Sequence, residues 1–168
     1  MAKALVIFLH GVGSNGEDLA ALGRHWAPLL PDVIFAAPDA PFSFPHGAGF
    51  EWFSLDGVTL ENRPARVRAA RETFDATLKA ILARHGLSDQ WDKVVLVGFS
   101  QGSIMALDAL ASGRFPLAGV VAFSGRLAFA EPLSPAVQTP ALLIHGHADA
   151  VIPWRESESA AQRLKAAG

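Results

Sequence analysis

Five short, largely apolar runs constrain this chain more than any other feature: Ala4 to Leu9, Val33 to Ala37, Lys93 to Gly98, Ala118 to Ser124 and Ala141 to His145. Runs without polar alternation are the pattern of strands buried on both faces of a parallel sheet. Helical periodicity fills the spaces between them. Leu19, Leu22 and Trp26 share one face before Pro28 and Pro31 stop the helix. Val67, Ala70, Phe74, Leu78 and Ile81 step by three or four, with Pro64 in the first turn and Gly86 just past the end. Ile104, Leu107 and Ala111 share a face before Gly113, and Glu156 to Ala167 has a helix-forming composition. Strands alternating with helices predict an α/β domain built on a doubly wound, mostly parallel sheet.

The 168 residues, 51% of them apolar, suffice for one such domain with a sizeable core and leave little room for a second. Residues 38 to 62 are the exception to the alternation. Pro38, Pro41, Pro45, Gly47, Gly49 and Gly57 lie there among aromatics, which predicts a long loop without helical period. A net charge of -2 with scattered Lys and Arg forms no basic stripe, so neither a nucleic acid nor an anionic membrane is the expected partner. The absence of cysteine excludes a disulfide framework, a thiolate zinc site and a cysteine nucleophile. The apolar run from Ala4 to Leu9 is too short for a secretory core or a membrane span, and the expected location is the cytoplasm.

In open α/β sheets ligands bind outside the carboxyl ends of the strands, so the residues that follow each run carry the chemistry. Gly98-Phe99-Ser100-Gln101-Gly102 matches Gly-x-Ser-x-Gly with a buried strand before it and a helix after it. Small flanking residues permit a strained turn that presents Ser100 as a nucleophile, and the helix start aims amide groups at an oxyanion. "FLHGVGSNG", from Phe8 to Gly16, follows the first strand and can supply the second donor. Val12 N–H and Gln101 N–H are the expected oxyanion hole. No Lys-Ser/Thr pair follows these glycines, which argues against a phosphate-cradling loop. Asp149, in "LIHGHADAVIP", stands in the turn after the last run, in the order of a serine, acid, histidine triad.

The motifs "FLHGVGSNGEDL", "WFS", "VGFSQGS", "AFSGRL" and "HGHADAVIP", in this order, resemble the carboxylesterase/phospholipase family of α/β-hydrolases, which includes the acyl-protein thioesterases. The resemblance runs from Ala4 to about Pro153. It implies an α/β-hydrolase fold and hydrolysis of small-molecule carboxylic esters or acyl thioesters through an acyl-enzyme on Ser100, without a metal or an organic cofactor. It also implies a catalytic histidine in a Gly-His motif, beyond one more helix and one more strand.

This sequence departs from that pattern. After Asp149 only 19 residues remain, and a helix of about 11, a connection of about 4 and a strand of about 5 already exceed them. No histidine follows Asp149. Of the six present, His10 and His145 stand at strand ends and are expected to bond backbone. His25 and His85 belong to helices or helix ends, His46 to the proline-rich loop, and His147 lies two residues before Asp149. The expectation is a domain spanning residues 1–168 that stops short of a last strand and helix, with the base supplied by a natural continuation. Two consequences are expected: very low activity of the 168-residue chain, and self-association through an exposed sheet edge. A noncatalytic α/β-hydrolase-like binding module is the alternative that the missing base suggests. Aromatics of the loops near the strand ends, Trp52 and Phe53 above all, are candidates to line an acyl pocket, or else they belong to the core.

Overall fold

Two strands, β1 (Ala4–Leu9) and β5 (Val94–Phe99), pair in parallel with Leu5 opposite Val94 and Leu9 opposite Gly98, and form the centre of the molecule. The computed structural model describes residues 4–130 and 132–168. Outside β1 lies β2 (Val33–Ala36); outside β5 come β6 (Gly119–Phe123) and then β7 (Ala141–Ile144). The order is β2-β1-β5-β6-β7, with every neighbouring pair parallel. A short segment, β3 (Phe42–Ser43), pairs antiparallel with β4 (Phe50–Glu51) away from the main sheet. Four helices complete the domain: α1 (Gly16–Trp26), α2 (Arg63–Arg84), α3 (Gln101–Ser112) and α4 (Arg155–Ala166).

The central strands are apolar throughout because alternate residues enter two different cores. Leu5, Ile7 and Leu9 of β1, with Leu96 of β5 and Val120 of β6, pack against α2 and α3. Val6, Phe8 and Val97 face the other way, toward Leu19, Leu22 and Trp26 of α1. The stripe Val67, Ala70, Phe74, Leu78 and Ile81 of α2 is buried as its spacing predicts. A fully buried side chain such as Phe74 contributes about 2–3 kcal/mol over its exposed state. Asn15 caps α1 by accepting the Asp18 N–H at 3.0 Å, so the glycine-rich turn after β1 ends in a defined helix start.

Two details differ from the expectation. The long loop 38 to 62 contains the β3–β4 hairpin, which is stitched to the turn after β1: Gly13 N–H donates to the Phe50 carbonyl and Phe50 N–H to the Ser14 carbonyl, each at 2.9 Å. Such nonlocal bonds leave no periodic trace in a sequence. The run Ala141 to His145 was expected to be buried on both faces, yet Leu142 is 56% and Ile144 39% exposed. Leu142 and Ile144 pair with Val121 and Phe123 of β6 and so share the face that α1 covers over β1; at β7, the end of the sheet, that face is open to solvent.

Candidate active site

Ser100 sits between β5 and α3 with φ +53° and ψ −114°, a conformation that a side chain normally avoids and that a tight strand-to-helix turn imposes. Its N–H donates to the Phe123 carbonyl at 3.0 Å, and its own carbonyl accepts from Ile104 N–H at 3.1 Å. The flanking glycines are required by contact. A Cβ on Gly98 would lie 2.6 Å from the Ser103 backbone, and one on Gly102 only 2.1 Å from the Leu9 carbonyl oxygen. The two glycines of the motif therefore let α3 descend directly onto the ends of β1 and β5.

The glycine-rich turn after β1 closes over the same serine. A Cβ on Gly11 would lie 3.3 Å from Ser100 Cβ and 3.9 Å from its Oγ, so the Gly11–Val12 backbone borders the hydroxyl. Gln101 opens α3, where the first amides lack intrahelical partners. Among the described residues, neither Val12 N–H nor Gln101 N–H has a backbone acceptor. The Gln101 side chain turns inward, 2% exposed, and is tied to the long loop. Its Oε1 accepts Trp52 N–H at 2.7 Å, and its Nε2 donates to the Phe53 carbonyl at 2.8 Å.

Trp52 lies in the core, 1% exposed, edge-on to Phe74, and its indole N–H donates to the His10 carbonyl at 2.9 Å. Phe53 is also buried. Both reach the wall of an open groove of about 330 Å³ shared with Phe42, Arg66 and Ala70.

Asp149 is held by the turn that follows β7. Its Oδ1 accepts the Val151 and Ile152 amide hydrogens, both at 2.9 Å, while its Oδ2 lies 3.4 Å from His145 Nε2. The Ile152 and Val151 hydrogen bonds hold this carboxyl below its usual range against the opposing cost of burial, with lesser help from nearby Ser124 and His145. Ser124 connects the two halves of the site. It follows β6, whose Phe123 carbonyl receives Ser100 N–H, and its own N–H donates to the Ile144 carbonyl of β7 at 2.8 Å. Ser100 and Asp149 are thereby anchored at the carboxyl ends of three neighbouring strands.

The histidines divide by their partners. His10 is buried and His145 nearly so; both bond backbone atoms, as expected for residues at strand ends. His145 Nε2 donates to the Ile152 carbonyl at 2.6 Å, which leaves Nδ1 to accept from the Ser157 hydroxyl at 2.6 Å. His46 pairs with Asp56 at 2.7 Å, His147 stacks on Trp154, and His25 and His85 are exposed. Among the described residues, no histidine hydrogen-bonds the Ser100 hydroxyl. Ser124 and the inward-turned amide of Gln101 are the structural members of the site that the sequence reading missed. The position of Ser124 at the carboxyl end of the run Ala118 to Ser124 was the available signal.

A parallel sheet flanked by helices, with a strained serine between a strand and a helix, defines an α/β-hydrolase. The chain belongs to the phospholipase/carboxylesterase family, whose pattern matches residues 1–168. It is 35% identical to the esterase YpfH of Escherichia coli over 167 residues, covering 99% of this chain and 71% of that protein. It is 29% identical to acyl-protein thioesterase 1 of Neurospora crassa, covering 98% of this chain and 74% of that one. Among solved structures, that of esterase PE8 superposes with a TM-score of 0.85 at 40% identity, covering 98% of this chain and 78% of that one. Membership in this family makes the chain a hydrolase of the carboxylesterase and thioesterase type. Among the described residues, no helix is long and apolar enough to cross a membrane.

Proposed function

We propose that Ser100 is the nucleophile of an esterase that acts on small carboxylic esters or acyl thioesters through an acyl-enzyme. The observation that carries this reading is the Ser100 turn, with the Gly11–Val12 backbone on one side of the hydroxyl and the start of α3 on the other. Attack of Oγ on the acyl carbon turns the carbonyl oxygen into an oxyanion, which Val12 N–H and Gln101 N–H receive. Two such donors act on charge that develops only in the transition state. The C–O or C–S bond then breaks, the leaving group takes a proton, and water releases the acid from Ser100 in a second attack. Trp52 and Phe53 shape the acyl side of the cleft, Trp52 by fixing the loop rather than by offering an exposed ring.

Among the described residues no histidine reaches the Ser100 hydroxyl, so this reading assigns none of them as the base. Asp149 is the acid in this reading: two amides occupy its Oδ1, its Oδ2 lies 3.4 Å from His145 Nε2, and a triad needs a histidine between this carboxylate and Ser100. His145 is not that base, because both of its ring nitrogens are engaged within the acid loop. The alternative, a noncatalytic binding module, draws on the same lack of a histidine at Ser100. Stopped-flow hydrolysis of p-nitrophenyl acetate and butyrate, with Ser100→Ala as control, separates the two. A Ser100-dependent burst supports the esterase. Hydrolysis that is equal in Ser100→Ala, with no burst, would overturn it.

A further inference from the structure

Consecutive peptides of the turn after β1 are held by different partners. Trp52 Nε1–H fixes the His10 carbonyl, and therefore the His10–Gly11 peptide, at 2.9 Å. The next peptide, Gly11–Val12, is fixed through its carbonyl, which accepts from His10 Nδ1 at 2.7 Å and from Ser14 N–H at 3.2 Å. His10 is 1% exposed, and its other nitrogen, Nε2, accepts Ala40 N–H at 2.9 Å. A backbone N–H can only donate and a carbonyl can only accept, so the ring is the neutral tautomer with its hydrogen on Nδ1.

In a trans peptide the C=O and the following N–H point in opposite directions. A carbonyl of Gly11 drawn toward the His10 ring thus turns Val12 N–H to the other side of the plane, in a backbone that borders Ser100. We propose that His10 is a positioning residue: its Nδ1–H holds the Gly11–Val12 peptide in the one orientation that offers Val12 N–H to an oxyanion at Ser100. The proposal rests on the reading of Val12 and Gln101 as oxyanion donors. It assigns His10 no contact with substrate. The shorter of the two bonds to the Gly11 carbonyl is the side-chain one, so the Ser14 N–H alone is a weaker restraint against rotation of this peptide.

Two substitutions divide the ring's two bonds. His10→Asn places an amide N–H where Nδ1–H stands and abandons Ala40; His10→Gln places an oxygen within reach of Ala40 N–H and abandons Gly11. The readout is the equilibrium affinity of Ser100 for phenylboronic acid, whose tetrahedral adduct carries the charge of an oxyanion and needs no general base to reach equilibrium. His10→Gln is expected to weaken the Ser100-dependent adduct by about tenfold or more, in line with loss of one oxyanion donor, with His10→Asn within about threefold of the parent. Equal affinity in all three proteins overturns the proposal, and so does an equal loss in both variants, which assigns the effect to the Ala40 tie or to packing. An adduct that forms equally in Ser100→Ala overturns the reading of Ser100 and this proposal with it. Should neither variant fold, the 15N ring shifts of His10 in the unmodified chain decide: a hydrogen on Nδ1 supports the proposal, and one on Nε2 overturns it.

Discussion

Gln101 Oε1 accepts the backbone N–H of Trp52 at 2.7 Å inside the core, so the residue that follows the nucleophile also fastens the long loop to the elbow. The same amide donates to the Phe53 carbonyl, and both loop groups are cut off from water. Gln101→Ala leaves a buried N–H and a buried C=O unpaired, and is expected to lower stability by about 2–4 kcal/mol. Gln101→Glu restores the acceptor for Trp52 but sets an oxygen against the Phe53 carbonyl, so it is expected to recover little. Urea unfolding of the three proteins checks this; a loss below about 0.5 kcal/mol in Gln101→Ala would show that the loop finds other partners.

Asp108 gives a second stability test, remote from the site. It is fully buried on α3, where Arg71 of α2 donates to both carboxylate oxygens at 2.8 Å and Arg114 adds a bond at 3.0 Å. Arg114 in turn holds Asp75 of α2, so the network joins the two helices that cover one face of the sheet. Removal of the carboxylate strands the partly buried Arg71 guanidinium and takes one partner from Arg114, which keeps Asp75 and Ser112. Asp108→Ala is expected to cost about 3–5 kcal/mol, and Asp75→Ala less, because Asp75 keeps 20% of its side chain in solvent. Thermal melts of both variants check the order, and an Asp75→Ala loss as large as that of Asp108→Ala contradicts it.

What was legible in the sequence is what local chemistry determines. The elbow could be read because its Gly-x-Ser-x-Gly pattern lies between an apolar run and a helical one, although the contact that demands Gly102 is with the distant Leu9 carbonyl, and α2 could be read because its stripe repeats every turn. The tie from Gln101 to Trp52 could not be read, because it spans 49 residues and uses a side chain that would otherwise be assigned to a helix surface. Ser124 is hidden for a similar reason: its N–H meets the Ile144 carbonyl only once β6 is placed beside β7. The misread burial of β7 has another cause. An apolar run predicts packing on both faces of a strand, but whether a helix reaches over each face at the end of the sheet is settled by the tertiary fold, and the face shared by Val121, Phe123, Leu142 and Ile144 is partly open.

The acid loop yields a pH prediction. The amides of Ile152 and Val151 hold the Asp149 carboxyl below its ordinary value of 3.8. A carboxyl whose folded value is depressed stabilises the folded loop at pH above the unfolded value, and that contribution disappears as pH falls through the folded value. The turn 149–152 is therefore expected to stay ordered as acid is added through the ordinary carboxylate range, and to loosen only below it. Asp149→Asn removes the charge at every pH and should loosen the turn already at neutrality. The Val151 and Ile152 amide resonances, followed by NMR from pH 7 downward, report this directly. A midpoint at or above 3.8 in the parent chain contradicts it.

The outer side of β7 leads to the last prediction. Leu142 and Ile144 are exposed on a strand that, among the described residues, pairs only with β6, and Val137 and Val151 are exposed at 75% and 82% in the flanking loops. On one face of the same sheet α1 packs against Val6, Phe8 and Val97, while Val95, Phe99, Val121 and Phe123 stay half-buried. An apolar edge with free N–H and C=O groups is a template for another strand, and natural proteins protect such edges with charge. The 168-residue chain is therefore expected to associate with itself as its concentration rises, and a single Leu142→Lys substitution should shift that association to about tenfold higher concentration without lowering the melting temperature. Leu142 suits the test because its outward side chain takes no part in the buried core, so lysine changes the edge and little else. Sedimentation velocity over a concentration series checks this: a monomer at every concentration, in parent and variant alike, would mean that the exposed edge is already protected by its own twist and flanking loops.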